Sequence, residues 1–127
     1  MDGARPTLIY DGECGFCTTA AHWVARHWTG PDVPEAIPWQ RLPEGRGADL
    51  ELSGADFARS AWWADGARVE GGYRAVAYAL RATHGPWALA GRVLLVPPVS
   101  WAAAPGYRLV ARYRHRLPGG TPACRAL

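Results

Sequence analysis

Lysine is absent from this sequence. All fourteen strong bases are arginine, a bias for which the sequence offers no physical account. Cysteine is scarce and odd in number, with three in 127 residues, and two of them stand close together. That count excludes the paired-cysteine framework of a small secreted domain. Long apolar runs are missing too. The longest, Val93-Leu94-Leu95-Val96, stops at Pro97-Pro98, far short of the ~20 residues a membrane-spanning helix needs. No leader-type apolar region follows Met1; the chain passes through Arg5-Pro6 straight into a strand-like run. These absences lead to the expectation of a cytoplasmic protein with no membrane span, whose thiols are kept reduced. No internal repeat, low-complexity segment or linker breaks the chain, so a single domain over residues 1–127 is expected.

Apolar residues make up 49% and charged residues 20%, enough apolar surface for a chain of this length to bury its own core. Glycine (15) and proline (11) are frequent, which predicts short elements joined by many turns. The net charge of +3 is mild and gathers late, at Arg108, Arg112, Arg114, His115, Arg116 and Arg125. No aromatic-flanked nucleic-acid motif accompanies it. A solvated helix face with cations near its C-terminus is expected there, and no specific nucleic-acid partner.

Thr7-Leu8-Ile9-Tyr10 is a short apolar run that suits a buried first strand. Asp11-Gly12 breaks it. From Gly15 to about Trp28, Phe16, Ala20, Trp23, Val24 and His27 recur at helical spacing, and Thr29-Gly30-Pro31 ends the helix. Ala36 to Gln40 reads as a second strand; Pro38 cannot donate to a central ladder, so it belongs at an edge. Strand, helix, strand in this order forms a right-handed parallel unit. Arg41 to Asp49 reads as a loop, and Ser53 as the N-cap of a short helix, Gly54 to Arg59. Asp65-Gly66 between two strand-like runs predicts a hairpin with a two-residue turn. A helix from Tyr73 to about Thr83 is expected to bury Tyr73, Val76, Ala77 and Leu80, and to stop at Gly85-Pro86. Further helices follow over Trp87 to Leu95 and from Pro98 or Val99 onward. The second is expected to break or kink at Pro105-Gly106 and to continue an apolar face at Leu109, Val110 and Tyr113. Pro118 to Pro122 reads as a loop before Cys124. The order predicts an α/β, thioredoxin-like fold: a four-stranded mixed sheet with flanking helices and an extra C-terminal helical segment.

Chemistry concentrates at Asp11-Gly12-Glu13-Cys14-Gly15-Phe16-Cys17. Two thiols two residues apart, at a strand-to-helix junction, is the pattern of dithiol redox sites. Unpaired N–H groups and the dipole at a helix start favour the thiolate, the attacking species in disulfide exchange. Cys14 is therefore the expected nucleophile, facing a crevice, and Cys17, one turn later, the resolving thiol. Glu13 opposes the lowering of the Cys14 pKa. Gly15 keeps the approach open, and Phe16 offers an apolar surface beside the thiol or a core contact. Asp11 has two readings, a turn former bonded to its own backbone or a proton carrier near the resolving thiol; the turn is favoured because Asp-Gly is a turn signal. Gln40, at the end of a parallel strand, is a candidate to line the same crevice. Zinc would need four ligands, and no second cysteine pair has metal-ligand spacing, so no metal is expected, and no organic cofactor.

Tyr10-Asp11-Gly12-Glu13-Cys14-Gly15-Phe16-Cys17 resembles the signature of the DCC family (DUF393) of thiol-disulfide oxidoreductases, D-x-x-C-x-x-C directly after the first strand. Asp11, Cys14 and Cys17 match it. Pro38-Trp39-Gln40, Asp65-Gly66, Gly85-Pro86-Trp87, the Val96-Pro97 region and a late cysteine also have counterparts, so the resemblance covers nearly the whole chain. It implies a thioredoxin-like fold and a redox role on a protein or small-molecule thiol or disulfide, with a thiol reductant to regenerate the pair. One departure from the wider fold is notable: its usual cis-proline before the third strand has no counterpart near Ser60-Ala61. That absence, with the basic C-terminal helix, favours a second reading, a redox-sensing or protein-binding module without catalysis.

Overall fold

A computed structural model describes residues 6–29, 33–42, 45–65, 68–113 and 116. Four strands form one mixed sheet in the order β2-β1-β3-β4. Strand β1 (Thr7–Tyr10) runs parallel to β2 (Glu35–Pro38) and antiparallel to β3 (Trp62–Ala64), which pairs in turn with β4 (Val69–Gly71). β1 is central and buried at all four positions. β2 lies at the edge, where Pro38 costs no ladder bond. The strand is shorter than the sequence suggests: Trp39, Gln40 and Arg41 turn away as one 3-10 turn.

Helix α1 (Gly15–Arg26) crosses between β1 and β2. A four-residue helix, α2 (Arg46–Asp49), occupies part of the expected loop. Helix α3 (Gly54–Arg59) opens on a capping box: Asp56 N–H donates to Ser53 Oγ while Ser53 N–H donates to the Asp56 carboxylate, satisfying two groups that a helix start leaves unbonded. The hairpin closes through Asp65 N–H to the Arg68 carbonyl, one residue later than a turn centred on Asp65-Gly66 requires; Gly66 and Ala67 lie outside the described residues.

The main core sits on one face of the sheet. Leu8 and Tyr10 of β1, Trp63 of β3, Ala21 and Val24 of α1 with Trp28 just beyond it, and Ala75 and Ala79 of helix α4 (Tyr73–Arg81) form a single buried cluster. The Trp28 indole donates to the Ala79 carbonyl at 2.9 Å inside it. Ile9, pointing to the other face as strand alternation requires, is fully buried as well.

The buried side of α4 differs in part from expectation. Ala77 is buried as expected and Ala75 and Ala79 join it, while Tyr73 and Leu80 are half-buried and Val76 is 37% exposed. Small side chains let the backbone come close to its neighbours, and helix α5 (Pro86–Leu94) uses that closeness. A Cβ on Gly91 would lie 2.5 Å from the Ala77 carbonyl oxygen and 2.7 Å from the Arg81 nitrogen. Gly85-Pro86 separates the two helices and also begins the second, with Pro86 in its first turn where no N–H is needed.

Helix α6 (Val99–Tyr113) runs on through Pro105 as one element. Proline removes one helical bond, to the carbonyl of Trp101, and Trp101 is 72% exposed, so water can serve that oxygen. The apolar face expected at Leu109, Val110 and Tyr113 exists but is not covered: all three are exposed, and α6 has no buried residue. Among the described residues no single helix is long and apolar enough to cross a membrane.

Burial raises the pKa of the Tyr10 phenol above its ordinary 10.0, with the nearby Arg41 charge pulling the other way. A raised folded-state pKa means stability that is present below the unfolded pKa and is lost as pH rises through the folded one. Urea unfolding between about pH 9 and 11 should show this loss, and Tyr10→Phe should remove its part.

Candidate functional site

The site is built where β1 runs out. Asp11 is buried, and its Oδ1 accepts from Glu13 N–H (3.0 Å) and from Gln40 Nε2 (2.9 Å). Its carbonyl accepts from Cys14 N–H at 3.2 Å. This carboxylate thus ties its own turn, as Asp-Gly sequences do, and links that turn to the end of β2. Gly12 completes the link: its N–H donates to Gln40 Oε1 at 3.0 Å. Glycine is needed at this point for space, because a Cβ on residue 12 would stand 2.6 Å from Pro38 Cβ. Asp11, Gly12 and Gln40, separated by up to 29 residues in sequence, are one hydrogen-bonded unit.

Asp11→Ala leaves Glu13 N–H and the Gln40 amide without this acceptor and should cost about 1–2 kcal/mol. Asp11→Asn keeps an oxygen at the same place and should cost less. Chemical denaturation of both variants, with hydrogen exchange at the Glu13 amide, checks the order.

Cys14 is the N-cap of α1 in extended conformation. Its Sγ accepts from Cys17 N–H at 3.4 Å, and its carbonyl accepts from Thr18 N–H at 3.0 Å. The sulfur therefore sits against the positive end of the helix, where a thiolate is stabilised. Exposure differs from expectation. Cys14 is fully buried and disulfide-bonded, so it faces no crevice in this state. Cys17 is half-buried and stands outside that disulfide. Cys124, the chain's third cysteine, lies outside the described residues, as do Met1–Arg5 and the Pro118–Pro122 loop.

Two hollows flank the turn. One, of about 200 Å³, has walls of carbon with Cys17 among them: Phe16 and Ala20 of α1, Leu8 of β1, Val76 and Leu80 of α4, and Tyr107 of α6. Phe16 thus lines a cavity, as an apolar surface beside a thiol does. The other hollow has a mixed lining and is formed by Gly12, Glu13, Thr18, His22, Gln40 and Arg41, with Tyr10 and Pro38. Gln40 lines this second hollow and is not among the walls of the cavity that holds Cys17. Gly15 is the first residue of α1 and half-buried.

Tyr107 is a residue that sequence reading misses. Its hydroxyl accepts from Ala61 N–H at 3.1 Å, just ahead of β3, and its ring closes one side of the apolar cavity. Forty-six residues separate the two partners, and nothing local to either one signals the pairing. Ser60 joins the same corner by accepting from Gly72 N–H at 3.2 Å. The described residues contain no group of three or more His, Cys, Asp or Glu placed to hold a metal ion.

This arrangement can do thiol-disulfide exchange: a sulfur at a helix start, a second one turn along, and an apolar cavity at the second. The family model of DCC1-like thiol-disulfide oxidoreductases matches residues 8–120. No curated protein and no solved structure matches the chain.

Proposed function

The chain belongs to the DCC1-like thiol-disulfide oxidoreductase family, and from that premise we propose that it exchanges disulfides through Cys14 and Cys17. The Cys14 thiolate attacks one sulfur of a substrate disulfide, and the departing substrate thiolate takes a proton. Cys17, deprotonated, then attacks Cys14 Sγ. A Cys14–Cys17 disulfide forms and the second substrate sulfur leaves as a thiolate. A thiol reductant returns the pair to the dithiol. Every step is a sulfur-for-sulfur displacement, so neither metal nor organic cofactor enters. Asp11, Gly12 and Gln40 act as positioning residues by holding the turn ahead of Cys14, and Gly15 leaves the first helical turn narrow.

One observation carries the division of roles. Cys14 is the N-cap of α1, and its sulfur accepts the N–H of Cys17 one turn along. A helix start favours the thiolate, which supports Cys14 as the attacking sulfur and Cys17 as the one that displaces it. The carbon-walled cavity at Cys17 supports a substrate with an apolar group next to its reacting sulfur, be it a protein or a small thiol compound, and a reducing compartment such as the cytoplasm suits a cycle that needs thiol reductant.

Equilibration in glutathione buffers of graded potential, followed by peptide mapping, tests the proposal. A Cys14–Cys17 disulfide should appear along a two-electron curve, about 30 mV per tenfold change. A protein that never forms this pair is not the oxidoreductase proposed.

A second reading is favoured by the corner before β3. The Ala61 N–H is already bonded to Tyr107, and no proline stands at Ser60 or Ala61, so this corner has no peptide clamp of the usual kind. A binding module whose cysteines only sense redox state fits that. Partner capture that survives Cys14→Ser combined with Cys17→Ser would favour it.

A further inference from the structure

Charge and exposed apolar surface are divided unevenly along this chain. All eleven carboxylate side chains lie in residues 1–70, together with six arginines. Residues 71–127 hold eight arginines and no acidic side chain. Exposed apolar surface falls in the same half: among the described residues, nine of the eleven exposed large hydrophobics lie between Trp87 and Tyr113, on α5, α6 and their junction. Trp101 is 72% exposed, Leu89 and Leu109 60%, and Val96 55%. At 100° per residue, Val99, Leu109, Val110 and Tyr113 share one exposed arc of α6, and Trp101, Arg108 and Arg112 occupy the arc beside it. The half-buried Ala104, Tyr107 and Ala111 face the body.

We infer that the α5–α6 face lies on the surface of an anionic lipid bilayer. An apolar arc bordered by arginine, with tryptophan at the edge, is the composition of a helix that rests in the headgroup region. The absence of any carboxylate in this half removes the repulsion that anionic headgroups would otherwise meet. Geometry favours lying over spanning. α5 and α6 together have the length and composition of a span, but they meet at 96°, which lays one against the body and the other along a plane. A nucleic acid would satisfy the arginines and leave Leu89, Val96 and Leu109 exposed against a polyanion, whereas a bilayer accommodates both. The inference is independent of the thiol chemistry.

Sedimentation of the full chain with vesicles tests it. One set is phosphatidylcholine alone; the other contains about 30 mol% phosphatidylserine. Binding should be at least about tenfold tighter to the anionic set and should fall back toward the neutral set in about 0.5 M salt. Arg108→Gln with Arg112→Gln should remove most of the anionic preference. Trp101→Ala with Leu109→Ala should weaken binding to both sets while leaving the circular dichroism spectrum unchanged, since both side chains are exposed. A protein that stays in the supernatant with both sets overturns the inference. So does binding to a duplex or single-stranded oligonucleotide that anionic vesicles do not displace.

Discussion

Cys17→Ser is expected to accumulate covalent adducts through Cys14, and Cys14→Ser to accumulate none. The asymmetry follows from the helix. Cys14 is the N-cap, with its sulfur accepting the Cys17 N–H, so the thiolate that starts exchange is stabilised there and not at the fourth position. Without Cys17 the second displacement has no internal attacker, and the mixed disulfide persists until an outside thiol arrives. Without Cys14 the first displacement does not start. Both variants are best made on a Cys124→Ser background, so that the chain's third sulfur does not compete. Turnover of a model disulfide should fall by about a hundredfold or more in either variant. Non-reducing electrophoresis with mass spectrometry then separates them. Equal trapping by both would remove the division of roles, and trapping only in Cys14→Ser would reverse it.

Among the described glycines, Gly91→Ala should be the most damaging addition of a methyl group. The added Cβ would stand 2.5 Å from the Ala77 carbonyl oxygen and 2.7 Å from the Arg81 nitrogen. Both are backbone atoms in the middle and last turn of α4, so no side-chain rotation relieves the contact. The two helices must move apart, and α4 carries Ala75 and Ala79 of the main core. Overpacking of this kind costs about 3 kcal/mol, at the upper end of the usual range, a large share of a domain's ~5–15 kcal/mol. The melting temperature should drop by about 10 °C. Gly106→Ala is the control, since nothing lies within 4 Å of a Cβ there; it should leave the temperature unchanged or raise it. Because the contact is made at Ala77 and Arg81, neither of which lines the cavity beside Cys17, the redox potential of a folded Gly91→Ala sample should stay close to that of the parent.

Local chemistry made the first half of this chain legible. A strand reads as a strand at Thr7–Tyr10 because the apolar Leu8, Ile9 and Tyr10 with the β-branched Thr7 follow a proline and precede Asp-Gly, and Ser53 reads as an N-cap because its hydroxyl can accept from a backbone N–H of the first turn, as it does from Asp56. The same is true of the site's centre: Cys14 capping a helix with Cys17 one turn on follows from spacing alone. Asp11 as a turn former was legible too, since an Asx bond reaches only two residues along. Reading failed where a residue type has several uses. Pro105 marks a break in a buried helix, yet α6 is exposed and tolerates it. Val76 looked like part of the buried face of α4 but is exposed, while Leu80 is half-buried against the core; the side of α4 that meets α5 carries Ala77, which lets Gly91 approach its backbone.

By itself, then, the sequence determined the mixed sheet with an edge strand at Pro38, the helix that begins at Cys14, and the cysteine spacing that goes with the family; each depends on contacts within a few residues or on backbone rules that proline and glycine impose. The tertiary structure alone decided which sulfur is buried, that Gln40 bonds the turn, that Tyr107 occupies the Ala61 N–H, and that the arginine-bordered apolar face of α6 is left uncovered. Those depend on side chains that meet across 28 or more residues or fail to meet anything, and periodicity records which residues share a face without recording what lies opposite it.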